Sequence, residues 1–211
     1  MQQLILASTS PRRRELLALL EPSFEICRPT FEEQPVSGIS PVQQVQRFAL
    51  EKARSVAVQR PGDLVLGSDT IIELDGDLLG KPRDLADAKA MLTRLAGRAH
   101  HVHTAVALRC IEKQIESVAV ESATVWMKPY QAEAIERYLM TTESLGKAGA
   151  YSIQGDGGAL VSRLEGDYTA VVGLPLRLVA ALLREAGHPI AIDLDELYHS
   201  RPFPNWAAFD S

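Results

Sequence analysis

With 211 residues, 46% hydrophobic and 23% charged, the chain has the composition of a globular protein of one large or two-lobed domain. A formal net charge of −5 excludes a general nucleic-acid binder, since an acidic surface repels a polyanion while still allowing a local basic pocket. No apolar run approaches the roughly 18 residues of a membrane span, and Cys27 and Cys110, distant and without metal-type spacing, suit a reducing cytosol.

The start of the chain predicts a strand rather than a signal peptide. Leu4 to Ala7 is a short apolar run, followed by a turn with Ser8 and Ser10 and by Pro11 where a helix begins. Leu16, Leu17, Leu19 and Leu20 supply that helix with an apolar face. Arg12, Arg13 and Arg14 fall in its first turn, where cations oppose the helix dipole. Hydroxyls, first-turn N–H groups and guanidinium groups together suit a phosphate; a solvated basic turn with Ser10 as a plain cap is the alternative.

Phe24 to Arg28 predicts a strand, and Glu32-Glu33 follows in a proline-flanked loop that could bind a divalent cation or simply be solvated. Pro41 to Gln59 has helical spacing and carries Lys52, which reads most simply as a surface lysine unless its neighbourhood in space makes it more. From Asp63 a buried strand is expected to break at Gly67-Ser68-Asp69-Thr70 and resume, with Asp75-Gly76 as a hairpin turn. Asp69 between two apolar runs would be costly to bury unless it is paired, metal-bound or catalytic. Lys81, between Gly80 and Pro82, can meet a phosphate as a point charge, although exposed turn lysines are common.

Asp84 to Gly97 predicts a helix. His100, His101 and His103 lie in an alternating stretch with no cysteine or carboxylate spaced to complete a zinc set, so they are read as strand residues. Ile115 to Met127 predicts a strand and Pro129 to Met140 an amphipathic helix. Gly146 to Gly158 is rich in small residues that let a backbone approach a ligand, and within it Gln154 offers an amide with a donor and an acceptor side; a flexible loop joining helix to strand is the alternative. Leu160 to Leu164 and Tyr168 to Val172 are predicted strands, and Gly173-Leu174-Pro175-Leu176 starts a long apolar helix to Ala186. The aromatic, proline-rich tail after Gly187 is compatible with disorder or with packing on a partner subunit.

In order along Leu4 to Gly187, six short segments resemble the Maf family of nucleoside triphosphate pyrophosphatases. They are Ala7-Ser-Thr-Ser-Pro-Arg-Arg13, Glu51-Lys-Ala53, Gly67-Ser-Asp-Thr70, Gly80-Lys-Pro82, Lys147-Ala-Gly-Ala-Tyr-Ser-Ile-Gln-Gly155 and Val172-Gly-Leu-Pro175. The resemblance implies an α/β fold with a twisted mixed sheet flanked by helices, elongated, two-lobed and with a cleft. The domain would span residues 1–187, with 188–211 as a tail. It also implies cleavage of a nucleoside triphosphate to monophosphate and pyrophosphate with a divalent metal, Mg or Mn. Arg12, Thr70 and Gln154 match the dTTP/UTP subgroup. On this reading Ser8, Ser10, Arg12 and Arg13 hold the triphosphate, Lys52 and Lys81 add charge, and Glu33 (or Glu32) and Asp69 hold the metal. Asp69 accepts the proton of water, and Thr70 and Gln154 read the base. Dimerisation is common in the family, so a homodimer is one expectation; a cytoplasmic location without nucleic-acid or membrane partners is another. The alternative is a nucleotide-binding regulator of cell division without turnover.

Overall fold

Leu4–Ala7 (β1) buries all four side chains, as an unbroken apolar run does when both faces of a sheet are covered. The computed structural model describes residues 2–209. β1 pairs in parallel with Glu25–Cys27 (β2) and with Leu64–Leu74 (β3). Parallel neighbours need crossovers, supplied by the helices Pro11–Leu20 (α1) and Pro41–Ala57 (α2). Pro11 occupies the first turn of α1, and α2 begins with a reciprocal capping box between Ser40 and Gln43.

β3 turns through Asp75 and Gly76, at φ 54° and 86°, into the antiparallel strand Asp77–Leu79 (β4). The helix Leu85–Leu95 (α3) follows, capped by the Asp84 side chain accepting from the Asp87 amide. Then come Ala99–Cys110 (β5), Ile115–Met127 (β6), the helix Ala132–Met140 (α4) and Val161–Glu165 (β7). Helices Tyr168–Val172 (α5), Leu176–Glu185 (α6) and Leu194–Ser200 (α7) follow, and a single 3-10 turn, Trp206–Phe209, comes last among the described residues. The seven-stranded sheet runs β2-β1-β3-β5-β6-β7, with β4 on β3. A mixed sheet flanked by helices is therefore the architecture, in agreement with the sequence reading.

Two expectations are corrected. The strand expected to break at Gly67-Ser68-Asp69-Thr70 is continuous through all four residues, so Asp69 is a mid-strand residue. Tyr168 to Val172 is a helical turn, not a strand: Asp167 Oδ1 accepts from the Thr169 amide (2.7 Å) and hydroxyl (2.8 Å), starting the turn in place of sheet pairing.

The chain forms two compact units. The first contains the residues up to Thr70, Thr104–Glu121 and Gly173–Leu194; the second contains Ile71–His103, Ser122–Val172 and the residues from Asp195 on. In the first, Leu16, Leu17 and Leu20 of α1, the Val45, Phe48 and Val56 side chains of α2 and Leu176, Val179 and Leu183 of α6 are buried along with β1. In the second, the core includes Ile72, Leu79, Leu92, Leu95, Ile135, Leu139, Tyr151, Ile153 and Trp206. Among the described residues no helix is long and apolar enough to cross a membrane.

Candidate active site

In the first unit the decisive contact is a close approach of helix to strand. At Gly67 in β3, an added Cβ would lie 2.3 Å from the Ala49 carbonyl oxygen and 2.8 Å from the Ala53 nitrogen. Only glycine lets α2 lie so near, and the result is that Lys52 of α2 meets Asp69 of β3. The Lys52 ammonium donates to Asp69 Oδ1 and, at 2.5 Å, to Glu33 Oε1. Lys52 and Asp69 are buried, at 7% and 4% exposure, while Glu33 stands at the surface. Two carboxylates thus share one ammonium, and of the adjacent acids it is Glu33 that meets Lys52.

Arg13 of α1 joins the same group. Its Nε donates to the Gly173 carbonyl (2.8 Å) and its Nη2 to the Thr70 hydroxyl (3.1 Å). Ser68 Oγ donates to the same Gly173 carbonyl (3.2 Å), and the Thr70 and Thr104 hydroxyls are 2.9 Å apart. Gly173, at φ 126°, holds that carbonyl in a backbone conformation that side chains disfavour. Burial draws the Arg13 guanidinium below its ordinary value, against the opposing pull of Asp69 and Glu33. Burial likewise holds the Asp69 carboxyl above the usual carboxylate range; Lys52 and Arg13 oppose this and Glu33 adds to it.

The β1–α1 turn provides hydroxyls. Ser8 is buried and its Oγ accepts from the Ser10 amide (3.1 Å). Ser10 makes no side-chain capping bond to α1, so the plain-cap alternative has no contact behind it. Arg12 is half-buried on the same turn.

The second unit contains Lys81 and Gln154. The glycine-rich segment docks on the β3–β4 hairpin: the Gly149 amide donates to the Gly80 carbonyl (3.0 Å), next to the exposed Lys81. Gly149, at φ 65°, packs where a Cβ would come within 2.6 Å of Ile72 Cδ1. Tyr151 is buried, its hydroxyl 2.8 Å from His100 Nε2, and Gln154 follows, half-buried. His103, also in β5, contacts Ser122 Oγ through Nδ1 (2.8 Å) and Glu73 through Nε2 (3.0 Å), while His101 is exposed. Among the described residues no three His, Cys, Asp or Glu side chains group as a metal site.

Sequence reading missed Gly173, Ser68 and Thr104 as parts of the Arg13 network. Gly173 had a signal, a glycine before Leu-Pro, but the use of its carbonyl depends on contacts across more than a hundred residues.

A buried carboxylate on a lysine, beside an arginine and a hydroxyl-lined turn, defines a class of α/β protein equipped to bind a multiply charged anion and to accept a proton. The chain belongs to the Maf family: the family model described as Maf-like protein matches residues 3–186. It is 49% identical over 190 residues to the dTTP/UTP pyrophosphatase of Symbiobacterium thermophilum, covering 90% of this chain and 97% of that one. The dTTP/UTP pyrophosphatase of Myxococcus xanthus is 46% identical over 89% of this chain and 94% of its own. That of Pelotomaculum thermopropionicum is 42% identical over 90% and 100%.

Proposed function

We propose that this protein hydrolyses dTTP and UTP to the nucleoside monophosphate and pyrophosphate. The observation that carries the reading is the buried Asp69 carboxylate, gripped by Lys52 and flanked by Glu33 and Arg13. The names of relatives 42–49% identical over nine-tenths of the chain support the choice of nucleotides.

The reaction adds water to the α-phosphorus, breaks the bond from that phosphorus to the oxygen bridging the β-phosphate, and releases pyrophosphate. Asp69 takes the proton from the attacking water; a carboxyl lifted above its ordinary range is the better base. Ser8, Ser10, Arg12 and Arg13 hold the triphosphate. Lys52 and Lys81 place positive charge where negative charge builds on the phosphoryl oxygens and the leaving pyrophosphate. Arg13 has two of its N–H groups engaged by Gly173 and Thr70, so its charge stays fixed as the substrate reacts. Thr70 and Gln154 read the pyrimidine edge: a carbonyl-rich face pairs with them, and cytosine, with its amine, leaves groups unpaired at a cost of about 1–3 kcal/mol.

The two carboxylates that converge on Lys52 are hard oxygen donors in the right number to hold one Mg²⁺ or Mn²⁺ together with phosphate oxygens. Glu33 and Asp69 would hold the ion. Its chemistry would be to withdraw charge from the phosphate under attack. Cys27 and Cys110 are free thiols, which supports a cytoplasmic location.

A nucleotide panel with Mg²⁺ or Mn²⁺, read as pyrophosphate release, tests the proposal beside Asp69→Asn. dTTP and UTP are expected to turn over well ahead of CTP and purine nucleotides, and Asp69→Asn to lose about a hundredfold or more in kcat. Tight UTP binding by the wild type without turnover would overturn the proposal in favour of a nucleotide sensor.

A further inference from the structure

The family match ends at residue 186, yet the segment beyond it returns to the glycine-rich loop. In the second unit, Tyr198 of α7 donates its hydroxyl to Asp167 Oδ2 (2.8 Å), and Tyr168 donates to the Pro204 carbonyl (2.6 Å). Trp206 is buried, stacked on Tyr168 with centroids 5.2 Å apart and met edge-on by Tyr198 at 5.1 Å. Such a cluster of large side chains fixes the backbone between them.

Asn205 sits in that fixed stretch at φ 65°, a conformation asparagine tolerates better than most residues. Its Nδ2 donates to the Ile153 carbonyl (3.0 Å) and to the Gly155 carbonyl (2.9 Å). These carbonyls lie on either side of Gln154. Both N–H groups of one amide are therefore spent on the backbone flanking the side chain that reads the base. Gly158 makes room for this: an added Cβ would stand 2.5 Å from Asn205 Nδ2.

We propose that Asn205 is a positioning residue, and that the C-terminal segment carrying it clamps the Gln154 loop in the conformation that meets the nucleotide. That the loop serves a nucleotide rests on the function proposed above; that Asn205 orders the loop does not. A loop held in its binding geometry before the substrate arrives saves the ordering cost at binding, so the clamp acts on affinity.

The test uses the full chain with Asn205→Asp, which keeps the size and the tolerance of positive φ but has no N–H to give, and with Asn205→Ala. Two measurements are made on each: backbone hydrogen exchange over residues 152–158, and KM with kcat for UTP and dTTP. The Gly157 and Gly158 amides report on the loop, since they donate to Glu143 Oε2 (3.4 Å) and to the Gly155 carbonyl (3.0 Å). In both variants their exchange is expected to quicken about tenfold or more. KM is expected to rise about tenfold, as loss of two hydrogen bonds of ordinary strength allows, with kcat within about threefold of wild type. Unchanged exchange would overturn the clamp, and quickened exchange with unchanged KM would overturn its service to the nucleotide. If wild type releases no pyrophosphate from either nucleotide, the proposed function fails, and the exchange measurement still decides the clamp.

Discussion

Lys52 shares its single positive charge between two carboxylates, the exposed Glu33 and the buried Asp69. A buried pair of this kind adds little over a well-packed apolar substitute, yet breaking it by removing one partner strands a charge, at a cost of about 3–5 kcal/mol. Lys52→Met should therefore destabilise strongly, because it leaves buried Asp69 facing Glu33 with Arg13 alone to compensate. Asp69→Asn should cost less, since Lys52 keeps Glu33. The double variant should cost less than the sum of the two by more than about 1 kcal/mol, the signature of a direct interaction. Urea unfolding of the four proteins measures it, and simple additivity would show that the contact does not exist in solution. Asp69 and Arg13 stand out in the sequence because each is chemically conspicuous, an aspartate between apolar runs and arginines against a helix dipole, whereas Lys52 reads most simply as a surface lysine and Glu33 as one of two solvated acids until their contacts are seen. Thr104 and the Gly173 carbonyl do not stand out, because a strand threonine and a backbone oxygen carry no mark of their partners.

The elements that carry the site were mostly legible too, for the same reason that they form. α1 announced itself by Pro11 and its leucines, the β3–β4 hairpin by Asp75-Gly76, and β6 by its run of β-branched residues. The misreadings came from local composition meeting tertiary demand. Gly-Ser-Asp-Thr looks like a turn, but the chain continues as strand because Gly67 is needed for α2 to approach, not for a bend. Tyr168 to Val172 looks like a strand, but Asp167 begins a helix there. Gly67→Ala tests the first point. Its methyl would overlap the Ala49 carbonyl and the Ala53 nitrogen, so α2 must shift. Lys52 adjoins Ala53 and Asp69 is two residues after Gly67, so the shift separates the ion pair. An overpacking cost of about 1–3 kcal/mol is expected in urea unfolding, together with a loss of kcat/KM larger than that stability change would suggest. Wild-type activity in a folded Gly67→Ala protein would show that the helix can yield without moving Lys52.

At the scale of the whole molecule, stability has a pH dependence traceable to one buried ring. His100 is 1% exposed; its Nε2 bonds the Tyr151 hydroxyl, and its Nδ1 has no hydrogen-bond partner among the described residues. An imidazolium there would strand an N–H in the core, and burial, with a smaller contribution from His101, lowers the pKa to about 4. In the unfolded chain the same group titrates near 6.5. Between those values the unfolded state binds the extra proton, so folding stability falls as the pH drops through that window. The loss from this group between pH 8 and pH 4 is about 3 kcal/mol. His100→Gln keeps a partner for Tyr151 and cannot titrate. Its stability should therefore decline less steeply than wild type between pH 6.5 and pH 4, the two curves running parallel above pH 7.5. Urea unfolding across that range makes the comparison, and equal slopes would mean that His100 reaches water. The same bond ties the strand bearing His100 to the loop bearing Gln154; the Asn205 bonds to that loop hold no titratable group, so the pH dependence belongs to the His100 contact and not to the Asn205 contacts.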